Sequence, residues 1–343
     1  MRINRYFLLL SITSILGFFP VSSAMAGTKL TAQSVMKFLN LTVGAKAAGM
    51  GDCYFSMVPD ASVHFLNPAA LTGIKSRSLF TDRNVWVADI TQYSGALSQP
   101  IGSRIVVGLG FILMDYGDIP GTEIIKTGSS GSGNIKEYIS IGQVDVSQYA
   151  LSASLGLAVS NQFSVGGHVK YAHSGLGSSL VELSGDSLVL NNDLNAFAFD
   201  LGTQFHTGYK GITFYMSLRN FSGEHAYPKI RQTYNLPLTF SLGITADLLR
   251  LVSTITDTHS LLLSIAGQHP IDYVEKYNFG MEYSYNNKLF LRGGYKINYG
   301  MEDWSLGLGL RKRLGTQAVS FDIAYVNTVY FNSTNRISLS WEF

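Results

Sequence analysis

The chain has 343 residues, enough for one large β-barrel or for two ordinary soluble domains. Only 14% of its residues are charged, against about 25% in a typical soluble domain, and it carries 35 Gly, 19 Tyr and 20 Phe. A net charge of +2 without a Lys/Arg run or a basic patch interleaved with aromatics argues against nucleic acid as a partner. Cys53 stands alone, which excludes an internal disulfide, and no clustered His or second Cys supplies a zinc spacing.

In chain order, residues 1–26 read as a secretory signal peptide: Arg2 and Arg5, an apolar run from Phe7 to Phe19, then Ala24-Met25-Ala26 before Gly27. The run is short for a membrane span and Pro20 interrupts it, so an uncleaved anchor fits less well. Residues 27–72 read as a compact plug. Gly49 and Gly51 flank Met50, and Pro59-Asp60 and Asn67-Pro68 are turn dipeptides in an Ala-rich segment.

The ordered set Gly44-Ala45-Lys46, Gly49-Met50-Gly51, Asp60-Ala61-Ser62, Asn67-Pro68-Ala69 and Leu71 resembles the N-terminal signature of the PorV/PorQ family of outer-membrane barrels, which is related to the FadL-like channels. Asp52-Cys53, Pro59 and Ala70 depart from that family's usual residues. The lone Cys53 is expected to pack as a small residue within the plug.

From residue 73 to 343 the chain alternates with period two. Ile105, Val107, Leu109, Phe111 and Leu113 share one face while Gly108 and Gly110 share the other; Leu151, Leu155 and Leu157 oppose Ser152, Ser154 and Gly156. Near the end, Leu289, Leu291, Tyr295 and Ile297 oppose Arg292, Gly294, Lys296 and Asn298. Glycine, serine and ionic residues on the minor face suit a lumen that receives a plug, which turns the greasy face to lipid. About fourteen strands are predicted, near 77–82, 85–98, 104–114, 147–159, 162–173, 195–206, 211–220, 236–247, 258–268, 275–285, 288–298, 303–312, 317–327 and 335–343. Short turns alternate with long connections at 115–146, 174–194 and 221–235, the pattern of outer-membrane barrels.

No water in a bilayer satisfies an open sheet edge, so the first and last strands must meet. The closing strand places Ile337, Leu339, Trp341 and Phe343 outward and Arg336, Ser338, Ser340 and Glu342 inward. Its aromatic end resembles the signal read by the barrel assembly machinery, and the last hairpin again resembles PorV/PorQ. Gly128 to Gly133 reads as a flexible polar tract, and Glu224, His225, Tyr227 and Arg231 as a loop able to contact a partner.

No G-x-S-x-G, H-E-x-x-H or Walker motif is present, so no catalytic, cofactor or metal residue is expected. A phospholipase would need a strand-borne Ser-His pair; His168 with Ser164 or Ser152 is conceivable, but serine is abundant in this chain and the expected reading is a chance pairing. Asp60 and Asp115 read as turn or plug hydrogen-bonders. The expected fold is an all-β transmembrane antiparallel barrel with an N-terminal plug. The resemblance implies a non-enzymatic part in type IX secretion, with the translocon, the C-terminal domains of cargo or the surface attachment complex as partners. The alternative is a FadL-like channel for a hydrophobic ligand, with Gly49 and Gly51 as hinge candidates. A lipid-sized apolar cavity behind the plug would favour the channel; an occluded polar lumen would count against conduction.

Overall fold

The computed structural model describes residues 34–53, 60–126, 136–183, 186–226, 233–252 and 258–343, all within one compact unit, Thr31–Phe343. The signal-peptide reading and the Gly128 to Gly133 tract lie outside these residues, as do Tyr227 and Arg231.

The strands in chain order begin with β1 (Ser78–Val85), β2 (Thr91–Ile101), β3 (Ile105–Asp115), β4 (Pro120–Lys126), β5 (Lys136–Gln143), β6 (Ser147–Ala158), β7 (Phe163–Leu183), β8 (Asp186–His206) and β9 (Thr213–Phe221). They continue with β10 (His225–Ala226), β11 (Thr233–Tyr234), β12 (Thr239–Asp247), β13 (His259–Pro270), β14 (Lys276–Tyr285), β15 (Leu289–Ile297), β16 (Glu302–Leu314), β17 (Gln317–Thr328) and β18 (Thr334–Glu342). Fourteen of them close an antiparallel barrel; β4 with β5 and β10 with β11 form separate hairpins. Closure is made where β1 meets β18, in a ladder from Ser78 opposite Glu342 to Val85 opposite Asn335. It leaves no open edge to hydrocarbon.

Sidedness follows the alternation. Leu109, Leu201 and Phe197 are 62%, 62% and 61% exposed on the outside, whereas Glu282, Lys296 and Arg292 are 2%, 4% and 5% exposed within. This inverts a water-soluble β-protein and fits a transmembrane barrel. Aromatic belts mark the two rims: Tyr149 stacks on His173 toward the long-loop end, and His259 packs on Tyr283 and Tyr285 at the short-turn end. Ile337, Leu339, Trp341 and Phe343 all lie on the outer face.

Three boundaries differ from the sequence reading. The first hairpin turns at residues 86–90 rather than near residue 84, because Asp82 and Asn84 continue the inward parity of β1. β7 and β8 run 21 residues each, about twice the nine to eleven of a tilted bilayer strand, continuing outward past a register shift between Gly175 and Ser178. The connections expected as irregular loops contain β4–β5 and β10–β11, held by local pairing.

Candidate functional site: the plug and its wall

The plug enters from the long-loop end, where the backbone N–H of Val35 donates to the carbonyl of Asn235. It descends through a 3-10 turn at Lys37–Asn40 and a short α-helix, α1 (Ala45–Gly49). It then crosses to the opposite wall and continues to the short-turn end, where β1 begins, through 3-10 turns at Ala61–Phe65 and Pro68–Gly73.

Two kinds of contact fix it. The first is ionic: Lys46 Nζ lies 2.5 Å from Asp60 Oδ2 and 3.8 Å from Asp322 Oδ2, and Arg292 bonds Asp322 at 2.7 Å and Glu282 at 2.6 Å. Asp60 also accepts from Ser340 Oγ at 2.8 Å and caps its own turn through the Ser62 N–H at 2.9 Å. Every one of these charges is buried, so each depends on the others for compensation. The second is backbone proximity. Gly51 has φ +61 and lies against Gly294, and a Cβ on Gly49 would stand 2.9 Å from Gly307 Cα. A Cβ on Gly280 would stand 2.5 Å from the Met50 carbonyl oxygen, and one on Gly166 or Gly202 would overlap Pro68 or Asn67. The wall glycines are smooth because the plug touches them. Gly49 and Gly51 pack directly against the wall here.

The turn residues do local work. Asn67 accepts from the Ala69 N–H at 3.0 Å and donates through Nδ2 to the Thr203 carbonyl at 3.2 Å, with Pro68 at the start of the turn. Asp115 accepts from the Gly117 N–H at 3.0 Å. Cys53 is fully buried, its carbonyl accepting from Ser264 Oγ at 2.8 Å.

The two serines weighed as partners for His168 do not meet it. Ser154, not Ser152 or Ser164, stands opposite His168, which stands opposite Asp200. His168 Nδ1 is 2.9 Å from Asp200 Oδ2, but Ser154 Oγ is 2.6 Å from Nδ1 of His64, whose Nε2 is 2.7 Å from Ser152 Oγ. Ser164 bonds Thr72 at 2.9 Å. His64 and His168 sit ring to ring at 4.3 Å, with Lys170 on Asp200 at 2.8 Å. All of these belong to the buried plug–wall contact, and the row of Ser, His and Asp anchors His64.

Two features of the lumen escaped the sequence reading. On the long-loop side an apolar slot is lined by Ile112, Met114, Ala150, Ala172, Ala196 and Leu194, and filled by Met36, Phe38 and Leu39. The unbroken Phe111-Ile112-Leu113-Met114 run, apolar on both parities, was its signal. Across the lumen lies a polar cavity of about 60 Å³ between plug and wall, lined by Asn40, Thr42, Asp52, Arg219, Gln268, Lys276 and Tyr299 among others.

No family model and no curated protein matches the chain. Several solved structures do. A Pseudomonas aeruginosa FadL homologue aligns over 88% of this chain and 98% of its own at 14% identity, TM-score 0.55. The CymD monoaromatic hydrocarbon channel covers 88% and 97% at 16% identity, TM-score 0.55. The Pseudomonas putida toluene transporter TodX covers 92% and 98% at 12% identity, TM-score 0.53. At such identities the likeness is one of fold, and the fold is that of the plugged FadL-like barrels.

Proposed function

We propose that the protein is a non-enzymatic channel of the outer membrane that binds a small hydrophobic molecule from the long-loop side and passes it when the plug shifts. The observation that carries this reading is the apolar slot. An aqueous pore gains nothing from Ile112, Met114 and Leu194 pointing inward, whereas a site for an apolar guest does. Met36, Phe38 and Leu39 fill it, so the described residues enclose no open lipid-sized apolar cavity and the occluded, largely polar lumen counts against conduction unless this segment withdraws. The similarity in fold to proteins described as hydrocarbon channels supports the same reading.

The test is protein-dependent uptake of radiolabelled toluene and oleate into proteoliposomes. Saturable uptake is expected, and Phe38→Ala, which vacates part of the slot, should increase it; uptake no faster than in empty liposomes sinks the channel. The secretion role implied by the ordered Gly44 to Leu71 motif is a second reading that rests on sequence resemblance alone. Recovery of secretion partners in a pull-down, with no uptake, would favour it. The outward Ile337, Leu339 and Trp341 of β18 support membrane lipid as a further partner in either case.

A further inference from the structure

The polar cavity is built from the outer ends of β9, β12, β13 and β14 and from the plug. Arg219 pairs in register with Thr239, and Gln268 with Lys276, which brings their inward side chains together. Neither Arg219 nor Lys276 has a carboxylate within ion-pair distance among the described residues. Lys276 rests instead over the rings of Tyr299, at 4.4 Å, and Tyr273, at 5.0 Å. Arg219 Nε is buried without a hydrogen-bond acceptor among the described residues, and Gln268 is only 9% exposed. Tyr299 Oη accepts from Asn278 Nδ2 at 2.7 Å, which leaves its own proton free to donate.

Asp52 also borders the cavity: Lys296 binds its Oδ2 at 2.5 Å and Glu302 at 2.5 Å, while Asp52 Oδ1 is buried without a hydrogen-bond partner among the described residues, so the lining carries one carboxylate oxygen beside the two cations. Three cations, Arg219, Lys276 and Lys296, thus face two carboxylates, Asp52 and Glu302, which leaves one positive charge unbalanced at a half-buried site. Such a charge is costly without a counter-ion. The volume of about 60 Å³ is room for a few waters, far below the roughly 300 Å³ at which ligand pockets begin.

We infer that this cavity binds one small oxyanion, a carboxylate or phosphate of a few heavy atoms, between Arg219 and Lys276 on the wall and Asn40 and Thr42 on the plug. The anion bridges two bodies that must separate for the plug to move, so its occupancy holds the closed state. Leu66 and Asn40 border the space, which leaves no room for an alkyl tail. The site is independent of what the channel carries.

The experiment is calorimetric titration of the full-length protein in a neutral detergent with sodium acetate or inorganic phosphate, against sodium chloride at matched ionic strength. One-site binding and a raised thermal midpoint are expected. The Arg219→Gln/Lys276→Met double variant should weaken binding at least about tenfold, while Lys288→Met at the short-turn end should not. Heat-dependent gel mobility establishes that each variant is folded, and Lys276→Met alone serves if the pair is not. No binding, or equal binding by the folded variant, overturns the proposal. Binding of oleate without acetate or phosphate overturns it too, because the site would then belong to the head group of an amphiphile.

Discussion

Gly294 and Gly167 are both strand glycines, yet the wall gives them opposite meanings. A Cβ on Gly294 runs into the backbone at Gly51, whereas one on Gly167, on the lipid face, meets nothing within 4 Å. Gly294→Ala should therefore destabilise by about 1–3 kcal/mol through overpacking, and Gly167→Ala should be neutral. Thermal unfolding in detergent compares them, and equal losses would mean that the plug does not touch the wall there. Asp60→Asn removes the close partner of buried Lys46. With its closest counter-charge gone and Asp322 remaining at 3.8 Å, a loss of up to about 3–5 kcal/mol is expected, larger than that of Asp115→Asn at an exposed turn.

Among the elements, the segment before α1 is tied to the turn after β13 by Lys37 and Ser34, both bonded to Asp272. Burial pushes the Asp272 carboxyl up, but these two partners hold it below its ordinary value of 3.8. A carboxyl that is a stronger acid when folded contributes stability above its unfolded pKa and loses it as pH falls through the folded one. Wild type should therefore unfold at a higher temperature than Asp272→Asn at neutral pH, and the two midpoints should converge as the pH drops below 3.8. A gap that persisted in acid would show that the contact is not ionic. β18 carries the closure. It joins the two ends of the wall, pairing with β1 on one side and β17 on the other, and its removal, like that of any strand of the closed barrel, would expose two edges.

For the molecule as a whole, an exterior of Leu, Phe and Tyr and an interior of Ser, Asn, Arg and Glu leave hydrocarbon as the matching solvent. The folded protein should need detergent, and planar bilayers should show little conductance through a lumen closed by plug residues 34–72. Deleting those residues should open a steady ionic conductance, because the inner wall they leave is polar around Glu282, Arg292 and Asp322. A closed barrel after the deletion would show that something other than the plug seals it.

Alternation, strand number, sidedness, the short turns and the closing strand were legible in the chain because each is a local pattern of period two bounded by turn residues. Ile337 and Arg336 announce their faces without help from any other strand. The glycines of the minor face announced a plug, but not which plug residue each receives. Pairings such as Lys46 with Asp322 or His64 with Ser154 join positions far apart in the chain, and only the closed register of the barrel brings them together. The polar cavity and the apolar slot belong to the same class. Arg219 and Lys276 sit on different strands, as do Ala172 and Met114, and each becomes part of a site only once the wall has curved around a filled lumen.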